Sequence, residues 1–458
     1  MRTHTSRSSW GASGHLADRV LLTLERFLHI EAVSGVVLIA AALSALLWAN
    51  SPVAESYHML WYTPVTLGIG SWSATQSLHF LVNEGLMTIF FLVAGLEIRR
   101  ELHEGALSTP RLAALPMVAA MGGVIAPAVI YLGFNWRTQA SQGWAVPIAT
   151  DIAFALGVLA LLGRAIPSGV RVLLLALAII DDIAAVLVIA FFYSQHLQLE
   201  GAAIAAAAVG IVLLLQWLGI RAALAYMIPG ALLWFGLLRL GVHPTLAGVL
   251  LGLLTPVVPL ANRGRRAALT HKLDEAARHA RAAQRDDHKL ISSVRRIKIA
   301  QRDLVPPVVG VQTALHPWVA YAIMPLFAFA NAGVTLSGAD LTAAVSGPVA
   351  YGIALGLLVG KPAGILLVSA ITIRLRWCEL PAEVGWRGLS LVAVLGGIGF
   401  TMAIFIATLA FQAEHALANA KLAILAASAL AAVIALVLGK WIFYKTKDGG
   451  PTEPPAVE

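Results

Sequence analysis

The sequence predicts an all-α polytopic membrane protein, from its composition, its long apolar stretches and the distribution of its basic residues. Of the 458 residues, 59% are apolar and only 12% are charged, whereas a soluble domain carries about 25% charged residues. So little charge could not cover a soluble protein, but a surface that faces lipid must be apolar. The single cysteine, Cys378, excludes a disulfide framework and a cysteine-based metal cluster.

Twelve stretches are apolar and long enough to cross a membrane, since a span needs about 20 largely apolar residues. The seventh and eighth are short and close together, so these two could be paired differently. The stretches are 30–50, 79–98, 112–132, 144–163, 170–193, 201–219, 222–238, 243–256, 314–336, 347–373, 388–411 and 419–439.

The basic residues predict the orientation, because cytoplasmic loops are rich in Lys and Arg. With the N-terminus inside, 28 of the 32 basic residues fall in cytoplasmic segments and two, Arg137 and Arg239, in external loops. This split accounts for the net charge of +8 without nucleic acid and predicts that both termini are cytoplasmic. The linker 257–313 holds twelve basic residues and is expected to touch anionic lipid. The predicted segments are 1–29 (cytoplasmic), 30–256 (spans one to eight), 257–313 (linker), 314–440 (spans nine to twelve) and 441–458 (cytoplasmic tail).

The first external loop, residues 51–78, contains no Lys or Arg. Val65, Leu67 and Ile69 alternate with other residues before Gly70-Ser71, a pattern that could form a short β-hairpin. An irregular loop is the alternative at this point.

Four ionisable residues lie near the centres of predicted spans: Asp151, Asp181, Asp182 and Lys361. Each costs roughly 2.5–3.5 kcal/mol on insertion scales. One lysine and three aspartates leave at least two carboxylates without a cationic partner, so satisfied ion pairs do not explain them all. This favours a functional role.

Asp181 and Asp182 are adjacent, and neighbours on a helix point about 100° apart. One carboxylate can therefore face an aqueous cavity while the other turns to a partner helix. If both ionise they repel, so the pair titrates as a coupled unit. Such a carboxylate can exchange a proton for a metal cation, and hard oxygen ligands suit Na⁺ or Li⁺.

Two spans carry helix-breaking sequences at mid-membrane. In the fourth, Pro147 lacks a backbone donor, and Thr150 and Asp151 offer side-chain bonds that compete with the helix. The eleventh contains Gly396-Gly397-Ile398-Gly399, although close helix packing is an alternative reason for these glycines. Unwound backbone at this depth is tolerated only inside protein or beside a water-filled cavity.

The two broken spans are the middle members of spans three to five and ten to twelve, which run in opposite directions in the predicted topology. Such an inverted-topology repeat points to a transport site at the midplane. The same six spans hold all four central charges.

Eight stretches of the chain together resemble the bacterial NhaA family of sodium/proton antiporters. They are Phe90–Glu97, Ala149–Gly157, Ala178–Asp182, Gly241–His243 with Thr245–Gly248, His316–Trp318, Leu326–Gly333, Gly360–Pro362 and Gly396–Met402. They run in order through nearly the whole membrane region. This family is itself a standard example of inverted repeats, so the repeat adds no independent support.

The resemblance implies roles for these residues. Asp182 would be the main cation and proton ligand, and Asp181 its coupled neighbour, pairing with Lys361 in one state. Thr150 and Asp151 would lie where two broken helices cross, with Asp151 and Lys361 balancing the half-helix ends. Family members are electrogenic, extrude Na⁺ or Li⁺ and admit protons. They are activated at alkaline pH, need no cofactor and form homodimers, partly through a hairpin in the first external loop.

The expected pH-sensing cluster departs from the family pattern. Glu97, Arg100, Glu101 and His316 match charged and histidine positions at the cytoplasmic mouth. Gln312 and Thr313, however, stand where the family has an acidic residue and a histidine, which puts the pH set-point in doubt. His243 is a further sensor candidate, and a histidine simply hydrogen-bonded at a helix end is the alternative.

Other functions fit the sequence less well. An intramembrane aspartyl protease would need its two carboxylates on different helices, usually with a Gly-x-Gly-Asp motif, which does not occur. A proton-coupled symporter for an organic solute would want Arg or aromatic groups at the midplane. A cation channel would leave the inverted, broken repeat unexplained. Another proton-coupled cation or solute transporter of similar fold is the remaining alternative.

Overall fold

The computed structural model describes residues 33–69, 72–105, 107–194, 198–220, 223–257, 306–335 and 347–443. The predicted N-terminal segment, most of the basic linker and most of the C-terminal tail lie outside them, so the expectations for these segments keep that status.

Most of the described chain is helical, because apolar residues follow one another with few breakers and a helix satisfies its own backbone. The helices are α1 Val33–Ala49, α2 Ala54–Tyr62, α3 Leu78–Glu104, α4 Pro110–Asn135, α5 Ile152–Leu161, α6 Ser168–Phe192, α7 Leu199–Trp217, α8 Ala223–Leu240, α9 Leu246–Leu254, α10 Pro307–Asn331, α11 Pro348–Arg374, α12 Gly385–Gly396, α13 Phe400–Ala410 and α14 Glu414–Phe443. Single π turns interrupt α3 at Leu81–Leu86, α10 at Val319–Ile323 and α11 at Gly356–Gly360.

In the described part of the chain, eight helices are long and apolar enough to cross a membrane, and there are up to eleven candidate spans if each bent helix pair counts as one. The all-α polytopic class is therefore confirmed, whereas the count of twelve spans and the inverted repeat stay predictions. The eighth predicted stretch, 243–256, contains only the nine-residue helix α9. Helix α10 begins at Pro307, before the start of the ninth predicted stretch at residue 314.

A two-stranded antiparallel sheet follows α2. Strand β1, Pro64–Ile69, pairs with β2, Trp72–Ser77, in a register that runs from Pro64 opposite Ser77 to Ile69 opposite Trp72. Two residues, 70 and 71, join the strands, the loop length that favours a tight hairpin. The predicted hairpin is confirmed, and the irregular loop is excluded.

Both predicted helix breaks are present. The 3-10 segment Gln139–Ile148 precedes α5 with a bend of 42°, and α12 precedes α13 with the same bend. Pro147 is the last residue but one of the first segment, which ends at Ile148, and Ala149 adopts an extended conformation. In the second pair the chain leaves the helix at Gly397 and re-enters it at Phe400.

Small residues let the helices around these breaks pack closely. Gly122 of α4 faces Gly364 of α11, and a Cβ on either residue would overlap the backbone of the other. Such contacts are typical of helix packing within membranes. Lipid is as apolar as the helices, so close van der Waals packing of their backbones, and not the hydrophobic effect, holds them together. On the outer surface, large apolar side chains such as Phe191 (77% exposed) and Trp217 (82%) point away from the protein, as lipid-facing residues do.

Candidate cation-binding site

The two helix breaks meet at Asp151. Its backbone N–H donates to the carbonyl oxygen of Ile398 at 2.8 Å, which ties one break to the other. Its carboxylate accepts bonds from the N–H of Phe154 (3.0 Å) and from the N–H (3.1 Å) and hydroxyl of Thr401. Asp151 thus caps the N-termini of both α5 and α13, where the helix dipoles place partial positive charge.

Lys361 lies at the carbonyl end of a helical segment, whereas Asp151 lies at N–H ends. Its fully buried ammonium group donates to the carbonyl oxygen of Ile148, the last residue of the 3-10 segment, at 2.5 Å. It also donates to the hydroxyl of Thr150 at 2.6 Å and forms an ion pair with Asp181 at 2.9 Å. A cation therefore faces the carbonyl end of one half-helix, while the carboxylate of Asp151 faces the N–H ends of two others.

The adjacent aspartates of α6 have different surroundings. One carboxylate oxygen of Asp181 accepts from Thr150 at 2.6 Å and contacts Lys361, and the residue is 1% exposed. Its other oxygen is buried and has no hydrogen-bond partner among the described residues. Asp182 is 5% exposed and lines a cavity, and within the described chain no donor occupies its carboxylate. The angle between neighbours on a helix separates the two groups in this way.

The cavity offers about 60 Å³ to the centres of water-sized molecules and is partly open. Its polar residues come from four elements: α3, the first break, α6 and α10. The lining residues are Phe90, Val93, Ala94, Glu97, Thr150, Asp151, Ile152, Ala153, Asp182, His316, Val319, Ala320, Met324 and Met402. Asp182, Thr150 and Asp151 supply oxygen atoms of the kind that hard monovalent cations prefer.

The predicted pH-sensing cluster is brought together at the same cavity. Glu97 and His316 line it, and Arg100 lies one turn further along α3. Arg100 donates to the side-chain oxygen of Gln312 at 3.1 Å and to that of Glu101 at 3.4 Å. Gln312 is 5% exposed, so the residue that departs from the family pattern is buried against this arginine.

His243 lies apart from this cavity. Its Nδ1 is 3.3 Å from a carboxylate oxygen of Glu84 in the π turn of α3, and its ring meets that of Phe405 edge-on. Sequence reasoning missed Glu84, although an acidic residue inside the second apolar stretch was a usable signal.

The glycines of the second break act through their backbone. The carbonyl oxygen of Gly396 lies 3.1 Å from the Thr150 hydroxyl and shares the single proton of that hydroxyl with Asp181, while Gly397 packs against the backbone of Leu357 and Gly399 against Ala149. Sequence reasoning also missed Thr401, because a threonine at a helix start is common and only the fold brings it to Asp151.

The sequence is similar to those of known proteins over nearly its whole length. The sequence profile of the family described as "Na+/H+ antiporter 1" matches residues 25–438. The chain is 57% identical over 442 residues to "Na(+)/H(+) antiporter NhaA 2" of Pseudomonas putida, covering 95% of this chain and 98% of that protein. It is 58% identical over 426 residues to "Na(+)/H(+) antiporter NhaA" of Cupriavidus necator (93% and 91% covered). It is 55% identical over 443 residues to the protein of that name in Bordetella petrii (96% and 94% covered).

The profile covers nearly the whole chain, and the relatives are matched over almost their full length. Together with the apolar helices, this identifies a multi-pass membrane protein that is a secondary transporter, needs no cofactor and has Na⁺ and H⁺ as substrates. The chain belongs to the Na⁺/H⁺ antiporter 1 family.

Proposed function

We propose that this antiporter is electrogenic, that it extrudes Na⁺ and also Li⁺ in exchange for external protons, and that Asp182 is the group for which the two ions compete. It would thereby serve pH and sodium homeostasis. The observation that carries the proposal is the contrast between two adjacent carboxylates. Asp181 is held by Thr150 and Lys361, while Asp182 faces the cavity.

This contrast supports a simple exchange step. With Asp182 ionised, its carboxylate, the hydroxyl of Thr150 and the carboxylate of Asp151 offer oxygen atoms to a cation that enters the cavity. When Asp182 binds a proton instead, it loses the charge that attracts the cation. Proton and Na⁺ are then alternatives at one site, which is what antiport requires. Lys361 and Asp151 keep the half-helix ends electrically balanced whichever ion is bound.

The proposed architecture has twelve spans, with both termini cytoplasmic, in the bacterial inner membrane. Spans three to five and ten to twelve form the inverted repeat, supported by two breaks with equal bends of 42°. The hairpin β1–β2 joins two copies in a homodimer, and the basic linker contacts anionic lipid. Glu97, Arg100, Glu101 and His316 tune the activating pH, with His243 as a further candidate.

Purified protein in liposomes tests the transport proposal. With a pH dye inside, an external NaCl pulse should make the lumen alkaline, while an equal KCl pulse should not. If more than one proton leaves per Na⁺ that enters, clamping the membrane potential with valinomycin and K⁺ should speed the response. A response of equal size to KCl, or to an organic solute, would favour the alternative, a different proton-coupled transporter of this fold.

Asp182→Asn tests the residue assignment. Asn cannot release a proton, so Na⁺-dependent proton flux should fall to the level of empty liposomes while the protein still inserts and elutes as a single species. Exchange at the wild-type rate by this variant would overturn the role of Asp182.

A further inference from the structure

Helix α13 begins in a strained conformation. Phe400, its first residue, has φ 21° although it carries a large side chain. Residues with a Cβ rarely adopt positive φ, and such a conformation persists only where its surroundings over-determine it. Something must therefore hold Phe400 in place.

The hydroxyl of Ser428 holds it. The backbone N–H of Phe400 donates to Ser428 Oγ at 3.0 Å, and Ser428, in the middle of α14, is 1% exposed. This bond joins the second helix break to a helix that contributes no side chain to the cavity lining. The first N–H groups of a helix have no partner within it, so a buried one needs an acceptor from elsewhere.

As a result of this bond, the first two backbone N–H groups of α13 donate to different acceptors, that of Phe400 to Ser428 and that of Thr401 to Asp151. Thr401, the next residue, gives its N–H and hydroxyl to Asp151, whose other carboxylate oxygen accepts from Phe154. Because Ser428 accepts from Phe400, Asp151 does not have to. The ring of Phe400 packs 5.2 Å from that of Phe154, so fixing Phe400 also fixes α13 against α5.

We propose that Ser428 is a positioning residue for cation binding. It anchors the strained start of α13 to α14, and it thereby keeps Asp151 and Thr150 at the distances from Asp182 that a bound cation needs. The inference rests on the proposed site at Asp182, but it concerns a residue on a different helix that touches neither ion.

The test is Na⁺-dependent proton flux in liposomes with Ser428→Ala. Without the hydroxyl, the buried N–H of Phe400 loses its acceptor and the break relaxes. The apparent KM for Na⁺ should rise roughly three- to tenfold, the size expected for losing one buried hydrogen bond at a binding site. The maximal rate at saturating Na⁺ should change less than about twofold, since Asp182 itself is intact.

Ser428→Cys replaces the hydroxyl with a slightly larger thiol that is a weak acceptor, so its KM should lie between those of the wild type and Ser428→Ala. The matched control is Ser369→Ala on α11. Ser369 is also fully buried, but its hydroxyl has no hydrogen-bond partner among the described residues. Its removal should leave KM unchanged.

An unchanged KM in Ser428→Ala, with a wild-type protein that exchanges Na⁺ for H⁺, would overturn the inference and leave the proposed site intact. If Ser428→Ala does not insert, Ser428→Cys decides. A raised KM without loss of thermal stability supports the positioning role, and a wild-type KM refutes it. A wild-type protein without Na⁺-dependent flux would overturn the transport proposal itself and this inference with it.

Discussion

At the scale of single residues, two buried charges of this protein each lie at a helix end of opposite partial charge. Asp151 accepts from two helix N-termini, and Lys361 donates to the carbonyl end of a 3-10 segment. The ion pair between Lys361 and Asp181 is part of the same arrangement, at 2.9 Å and out of contact with solvent. Breaking a buried pair by removing one partner is costly, because an uncompensated charge stays behind.

This arrangement predicts coupling between Lys361 and Asp181. Lys361→Ala should lower stability by about 3–5 kcal/mol, since it leaves Asp181 buried and unpaired. Adding Asp181→Asn should restore part of that loss, because the orphaned charge is removed. The measurement is thermal unfolding in detergent of both single variants and the double variant. Simple additivity of the two single effects would show that the residues are not coupled.

The position of Gln312 predicts that the wild-type protein and Gln312→Glu are activated at different pH values. It is buried against Arg100, where an acidic residue would place a negative charge. Negative charge at the cavity mouth concentrates protons and strengthens their competition for Asp182. The wild-type protein should therefore be activated at a lower pH than Gln312→Glu, by about half a pH unit, which corresponds to roughly 0.7 kcal/mol of interaction with one added charge.

The measurement is the pH for half-maximal Na⁺ exchange in everted vesicles, at fixed Na⁺ and low salt so that screening does not hide the effect. The control is Thr313→Ala, because the Thr313 hydroxyl is uncharged and donates to the carbonyl oxygen of Val309 on its own helix. A shift of Gln312→Glu toward lower pH, or none, would refute this interpretation and leave the basic linker as the better candidate for pH control.

At the scale of secondary-structure elements, local sequence predicts where helices break but not what completes the breaks. Pro147 and the glycines at 396, 397 and 399 mark both breaks, and alternating residues mark the hairpin, because these effects depend on neighbouring residues. The bonds from Lys361 to Ile148 and from Phe400 to Ser428 depend on how helices pack. A serine in an alanine-rich helix such as α14 carries no local signal of that role.

The π turns were likewise beyond sequence reasoning. The turn at Gly356–Gly360 ends directly before Lys361 and shifts the side chains that follow it around the helix. Gly356 packs there against Pro147, and Gly360 against Pro127. Such a turn arises from tertiary contacts that span more than 200 positions, so periodicity in one segment could not reveal it.

Gly397 offers a test of the second break. A Cβ there would lie 2.5 Å from the carbonyl oxygen of Leu357 on α11, closer than real contacts allow. Gly397→Ala should therefore cost about 1–3 kcal/mol of stability by overpacking and lower Na⁺ exchange. Gly310→Ala is the control, since a Cβ on Gly310 meets nothing within 4 Å and alanine favours the helix. Equal thermal stability of the two variants would contradict the packing argument.

At the scale of the whole molecule, the number of spans depends on α9. Its nine residues extend about 14 Å, roughly half of a bilayer core of about 30 Å. Yet α9 is packed against α3 through Gly248 and Gly252, whose Cβ atoms would overlap the α3 backbone, so it lies inside the helix bundle. A short helix buried in protein can cross together with its irregular flanking residues, because lipid does not reach that backbone.

If α9 crosses the membrane, the linker that follows it emerges on the cytoplasmic side. With twelve spans, Ser108 and the linker lie in the cytoplasm and Gln139 lies outside. In a Cys378→Ser background, Ser108→Cys and Ser292→Cys should react with an impermeant maleimide in everted vesicles, and Gln139→Cys only in right-side-out vesicles. If α9 did not cross, Ser292→Cys would react with the maleimide only in right-side-out vesicles, as Gln139→Cys does. Twelve basic residues in the linker make that arrangement unfavourable, since Lys and Arg are retained on the cytoplasmic side.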